Sequence, residues 1–254
     1  MLARSALASS ALVLTLALAC ARPVSARPHA SPTTSVSEPR QPNGKRALLI
    51  GDSNFFGPLG RVLSRELARR GYHVTLVAKS ASGLAHPQFF NWFQTVPDLL
   101  RTCNPDIVIA LFGGNDGQPI TRLRGNEPSR VSFRDRIPWD AAYKTRVREL
   151  AELLRGTAPE VFLLSPTNRP EPARARVVRI KGLQQDAVRD LARVHAVDLF
   201  PFSTDPDGAY LRTGIDPDGR AVGYRRPDGI HLTPAGGEVV GRQLMDFLVA
   251  TFRL

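Results

Sequence analysis

The run Ile107-Val108-Ile109-Ala110-Leu111-Phe112 contains no polar side chain, and it constrains the fold more than any other stretch of this sequence. A strand with one face in water alternates apolar and polar residues. A strand that is apolar throughout, here the run Ile107–Phe112 of the expected strand Asp106–Phe112, has to be covered on both faces, as in a parallel sheet flanked by helices. Shorter strand-like runs at Ala47–Ile50, His73–Ala78, Glu160–Ser165 and Ala196–Phe200 repeat the signal. Amphipathic stretches separate them. Pro58–Arg70 carries Leu59, Val62, Leu63 and Leu67 at helical spacing and stops at Gly71. Ala141–Leu154 and Arg174–Val194 read as further helices, the latter placing His195 at a helix end, where a cation is favourable. Thr233 and Pro234 supply an N-cap and a first-turn proline for a last helix reaching about Phe252. Alternating strands and helices predict one α/β domain, a parallel sheet with helices on both faces. In such sheets ligands bind beyond the C-terminal strand ends. Ser53 and Gly113–Asp116 both fall there.

The 254 residues suffice for one such domain with a sizeable core once a leader is set aside. Residues 1–19 read as an export signal: Arg4 is the positive region, Ala6 to Ala19 the apolar one, and Ala17-Leu18-Ala19 the small-residue junction before Cys20. Two outcomes compete there, lipidation of Cys20 as in a bacterial lipoprotein, or secretion with cleavage at that point or after Ala26. Either places the chain outside the cytoplasm, in the periplasm, on the outer membrane as a lipoprotein, or secreted. Residues 20–44, rich in Pro, Ser and Thr, are expected to be a disordered tether, with the folded domain at 45–254.

The formal charge of +11 comes chiefly from scattered arginines, without a dense block or interleaved aromatics. This fits a solvated basic surface first and attraction to an anionic envelope polymer second. Nucleic acid comes third, because no nucleic-acid-binding motif accompanies the charge. Two cysteines cannot build a disulfide framework or a metal cluster, and Cys103 reads as an inert core thiol. No metal site or cofactor is implied: the phosphate-cradling loop pattern and metal-ligand spacings are missing. The turn-rich segment Phe202–Arg226 lacks the alternating acidic ligands of a calcium loop and reads as a hairpin or lid.

Gly51-Asp52-Ser53 follows the first strand, and Asp228-Gly229-Ile230-His231 lies far downstream. A serine hydroxyl becomes a nucleophile when a base takes its proton and a third group orients the base. Ser53, His231 and Asp228 supply those three parts, while Asp52 is left to accept turn amides. Acyl transfer also needs donors for the developing oxyanion. Gly83, in the loop after the second strand, and Asn115, after the central strand, stand at successive strand ends and offer a backbone N–H and a side-chain NH2. Phe55 and Phe56 are candidates for an apolar entrance, and Gln118 for contact with substrate. Trp92 and Phe93 read as core, and Trp139 and Tyr143 as either core or pocket wall.

Taken in order, Gly51-Asp52-Ser53, Gly83, Gly114-Asn115-Asp116 and Asp228-x-x-His231 resemble the four blocks of the SGNH (GDSL-type) hydrolase superfamily, over roughly Lys45 to Leu254. The flanks Ser82-Gly83-Leu84-x-x-Pro87-x-Phe89-Phe90-Asn91-Trp92, Asn115-Asp116-x-Gln118 and Trp139-x-x-x-Tyr143-x-x-Arg146-Val147 resemble a branch of exported bacterial members of poorly defined function, in which the position of Asn91 is more often Asp. The resemblance implies a flavodoxin-like three-layer αβα sandwich. It also implies Ser53 as nucleophile, His231 and Asp228 as its partners, and an oxyanion hole from the Ser53 and Gly83 amides with the Asn115 side chain. The expected function is a serine esterase acting on small acyl esters, O-acetyl groups of an extracytoplasmic glycan above all, without a cofactor. The alternative is an O-acyltransferase served by a membrane acyl-transfer partner. A glycan-binding envelope protein with a vestigial crevice is the third reading.

Overall fold

The computed structural model describes residues 44–125 and 129–254, together with the backbone of Thr33–Thr34. The leader, the Cys20 junction and nearly all of the tether lie outside the described residues.

The short strand β1 (Thr33–Thr34) is followed by β2 (Arg46–Gly51), the single-turn helix α1 (Ser53–Phe56), α2 (Pro58–Arg69), β3 (His73–Ala78), α3 (Trp92–Cys103) and β4 (Ile107–Leu111). Then come β5 (Ile120–Thr121), β6 (Arg130–Val131), α4 (Arg136–Arg155), β7 (Glu160–Leu164), α5 (Ala173–Val188), β8 (Val194–Val197), β9 (Thr213–Ile215), β10 (Ala221–Gly223) and α6 (Pro234–Phe252). The main sheet has the order β1-β3-β2-β4-β7-β8. Its five long strands run parallel, and β1 adds antiparallel to β3 at one edge.

Successive residues of a strand point to opposite faces, and both faces of β2 and β4 are apolar. Leu48, Ile50, Val108 and Ala110 pack with Trp92, Val96 and Leu100 of α3, Trp139, Tyr143 and Leu150 of α4, and Ile180 of α5. Ala47, Leu49, Ile109 and Leu111 pack on the other side with Leu59, Leu63 and Leu67 of α2 and Val240, Leu244 and Leu248 of α6. The result is the three-layer αβα arrangement expected from the central run. On the second face α2 and α6 approach closely. A Cβ on Gly237 would lie 2.3 Å from Pro58 Cβ, and one on Gly241 would lie 2.6 Å from Val62 Cγ1.

The structure corrects three details and decides between two readings of a fourth. Helix α3 had no helical assignment from sequence; Asn91 caps it by accepting the Phe93 and Gln94 amides, and Pro97 lies inside it. Helix α5 ends at Val188, so His195 is not at a helix end. It lies in β8, with its Nε2 2.6 Å from Glu160 Oε2 of the neighbouring strand. Cys103 is half-buried at the end of α3 rather than inside the core. Trp139 and Tyr143, left open between core and pocket wall, are both core. Segment Phe202–Arg226 contains the β9–β10 hairpin, whose Asp216 carboxylate accepts the amides of Asp218 and Arg220 in the turn.

Candidate active site

The end of β2 turns at Asp52 into α1. The Asp52 amide donates to Leu111 O on the adjacent strand (3.1 Å), and its carboxylate accepts the Asn54 amide (2.9 Å), an N-cap bond that fixes the start of α1. Ser53 is the first residue of that turn, so its hydroxyl sits at the C-terminal edge of the sheet. Asp52 is buried and structural. Burial pushes its carboxyl above the usual range, against the Asn54 hydrogen bonds and the positive charges of Arg169 and His231.

The partner loop enters from the other end of the chain. His231 Nε2 lies 3.0 Å from Ser53 Oγ, and His231 Nδ1 lies 2.7 Å from Asp228 Oδ2. Asp228 Oδ1 accepts the Ile230 and His231 amides at 2.8 and 3.0 Å. Desolvation pushes the Asp228 carboxyl up, but the imidazole, these two amides and the charge of His231 outweigh it and hold the group at about 2. Asp228 is therefore ionised at neutral pH and selects the imidazole tautomer with its proton on Nδ1. Nε2 is then free to accept the serine proton. Buried Arg225 holds the loop's shape, donating to Ile230 O (2.9 Å) and to Thr167 Oγ1 (3.1 Å). Desolvation, with Arg169 adding to it, lowers the Arg225 guanidinium to about 10 against the attraction of Tyr210 and Asp228.

Ser53, His231 and Asn115 line a cleft of about 510 Å3, with Ser80 and Ala81 on one wall and Phe56, Pro58 and Ile230 giving it apolar surface. The Asn115 amide nitrogen donates to Ser82 O (2.9 Å). An amide has two N–H groups, so this bond aims the side chain and leaves a second donor. Gly83 does not line the cleft wall. It is buried against Asp116, and its N–H has no hydrogen-bond partner among the described residues. A buried amide without a partner is rare, and here it lies beside the loop residues that do line the cleft.

Asp116 ties these parts together. Its Oδ1 accepts the Leu84 and Ala85 amides at 2.7 and 2.8 Å, and its Oδ2 accepts the Tyr143 hydroxyl at 2.9 Å. Desolvation, reinforced by the charge of Asp52, pushes the carboxyl to about 6 in spite of those bonds.

The candidate substrate contacts need correction. Phe55 is 0% exposed and packs in the core beneath α2, whereas its neighbour Phe56 is 50% exposed and lines the cleft. Gln118 donates to Asn115 O (2.9 Å) and receives the Trp139 indole N–H on its own carbonyl (2.9 Å). It braces the asparagine from behind and is not part of the cleft lining. Sequence reasoning missed Arg169, which lies on the loop after β7 and lines the cleft. Its position beyond a strand end was the available signal.

Residues 46–246 match the model of a family described as protein of unknown function (DUF459). The chain belongs to the DUF459 family. Among curated proteins none matches it. Several solved structures share the fold of this DUF459 chain. The psychrotrophic esterase EstA from Pseudoalteromonas sp. is 12% identical with a TM-score of 0.55, over 83% of this chain and 100% of that one. TesA is 20% identical with a TM-score of 0.54, over 80% and 98%. A protein from Slackia heliotrinireducens described as an SGNH hydrolase is 17% identical with a TM-score of 0.54, also over 80% and 98%. The fold of this DUF459 member is that of the SGNH hydrolases.

Proposed function

We propose that this DUF459 protein is a serine esterase that removes small acyl groups, O-acetyl above all, from an extracytoplasmic glycan. The single observation carrying the reading is the unbroken relay from Asp228 through His231 to Ser53, with contacts of 2.7 and 3.0 Å and both Ser53 and His231 lining the cleft. In this reading His231 Nε2 takes the Ser53 proton as Oγ adds to the ester carbonyl. The tetrahedral oxyanion is received by the amides of Ser53 and Gly83 and by the free N–H of Asn115. The imidazolium returns its proton to the leaving alkoxide, and the acyl group stays on Ser53. Water, deprotonated by His231, then attacks the acyl-enzyme, and Ser53 recovers its proton as the free acid departs. The fold shared with an esterase adds support. The glycan and the location rest on the leader read at residues 1–19 and on the basic charge.

The test is hydrolysis of aryl acetates together with labelling by a fluorophosphonate. Ser53→Ala is expected to lose the label and at least about 10^3-fold in kcat. Unchanged rates in the variant would remove Ser53 from the chemistry.

A further inference from the structure

The cleft holds a guanidinium that the triad chemistry does not use. Arg169 is 7% exposed, lines the cleft, and has no side-chain hydrogen bond or ion pair among the described residues. Its Nε is fully buried without a partner. Its position is close to the reacting centre: a Cβ on Gly114 would lie 3.0 Å from Arg169 Nη2 and 2.7 Å from Asp52 Oδ2. Asp52 precedes the nucleophile, and Gly114 precedes the oxyanion asparagine.

A buried charge normally pays for its desolvation by pairing. Two carboxylates are near, and neither pairs with it. Asp52 accepts from Asn54 through Oδ1 alone, and its Oδ2, on the side of Arg169, closes no ion pair with it, while Asp228 accepts from His231 and Ile230. The other charges around Arg169 are positive. Arg61 and Arg226 line the same cleft, and the charges of Arg176 and Arg225 bear on Arg169. Desolvation works against its charged form and prevails, with the repulsion from Arg176, over the attraction of Asp52 and Asp228. A side chain placed only to balance Asp52 would close the ion pair with it. This one leaves its Nη atoms open to the cleft.

We infer that Arg169 is the centre of an anion subsite, and that the ester this cleft accepts carries a carboxylate beside the scissile bond. The planar guanidinium fork matches a carboxylate with two parallel N–H···O bonds, which is the geometry an arginine reads best. Arg61 and Arg226 add a field that draws the same charge into the cleft. The proposal rests on the esterase reading and narrows its substrate to anionic esters. The carboxylate belongs either to the acyl half, as in a hemiester of a dicarboxylic acid, or to the alcohol half, as in an acylated uronic acid.

Matched aryl esters separate the cases. 4-Nitrophenyl hemisuccinate against 4-nitrophenyl butyrate reads a carboxylate on the acyl side. 4-Acetoxybenzoate against 4-tolyl acetate reads it on the alcohol side. Wild type should favour one anionic ester over its neutral counterpart in kcat/KM. Arg169→Gln should lower that anionic-to-neutral ratio by at least about 10-fold, with Arg169→Lys retaining part of it. Calorimetry on Ser53→Ala with succinate and glucuronate gives a readout independent of turnover, and binding of one of them should vanish when Arg169→Gln is added. The proposal is overturned if wild type prefers both neutral esters, or if the ratio is the same in wild type and Arg169→Gln. It is also overturned if neither carboxylate binds. Loss of neutral-ester hydrolysis and of Ser53 labelling, with carboxylate binding intact, would instead sink the esterase reading alone. Should Arg169→Gln fail to fold, the wild-type ratios and the calorimetry decide.

Discussion

Replacing Gly83 by alanine should be among the most damaging single-methyl changes in this molecule. Gly83 does not have the positive φ that would by itself disfavour a side chain, so contact alone sets the cost. The new Cβ would meet Asp116 Oδ1 at 2.2 Å and Asp116 Cγ at 2.9 Å, roughly 1 Å closer than non-bonded atoms tolerate. Either the loop or the carboxylate has to move, and Oδ1 is the atom that accepts the Leu84 and Ala85 amides at 2.7 and 2.8 Å. Hydrogen bonds to a charged acceptor are worth about 1.5–3 kcal/mol each, so losing both predicts about 3–6 kcal/mol. Urea denaturation followed by circular dichroism should show this as a midpoint lowered by about 1–2 M. A double-mutant cycle isolates the cause. In an Asp116→Ala background the obstructing carboxylate is gone, and Gly83→Ala should then cost no more than about 1 kcal/mol. Equal losses in both backgrounds would refute the contact argument, as would a loss below about 1 kcal/mol in the wild type.

The two adjacent phenylalanines that follow Ser53 and Asn54 should part company. Phe55→Ala opens a core cavity and should cost about 3–5 kcal/mol in thermal or urea unfolding, while Phe56→Ala should leave stability within about 0.5 kcal/mol and raise KM for aryl esters. The Asp116 carboxyl predicts a pH signature. With its folded value raised to about 6 from 3.8, the folded state holds the proton more tightly than the unfolded one. The associated stability is complete below about pH 4 and is lost as pH rises through about 6, by at most about 3 kcal/mol. The stability difference between wild type and Asp116→Asn should therefore fall over that interval. A difference that stays flat from pH 4 to 7 would show that Asp116 is not perturbed.

The sheet was legible because a parallel strand buried on both faces announces itself as an unbroken apolar run, and Ile107–Leu111 does so without help from context. Helix α3 was not, since Pro97 interrupts its pattern and its aromatic residues read as core or as part of a motif. The last turns of Arg174–Val194 misled in the opposite way. Leu191 and Val194 keep an apolar rhythm, yet Arg193 adopts φ 67 and the chain has already left the helix to start β8. In the candidate site, residue type and spacing identified the residues that form the Asp228–His231–Ser53 relay. Which of Phe55 and Phe56 faces the cleft depends on the phase of a four-residue helix, too short to carry a period. Arg169 is one basic residue among many in the sequence. Its significance lies in the partners it lacks, and that cannot be seen before the chain folds.

The close approach of α2 and α6 bears on how the reaction geometry survives change elsewhere. Ser53 stands one turn before α2, and His231 stands three residues before α6. Gly237 and Gly241 let the N-terminal half of α6 lie directly against Pro58 and Val62 of α2. The span from Ser53 to His231 is thus a spacing between two rods, set by the absence of side chains along one seam. Loops that line the rim away from that seam, such as the one carrying Ser80 and Ala81, can be exchanged to alter what enters the cleft while that gauge stays the same. The seam is where selection for a new substrate has least freedom, and the rim is where it has most.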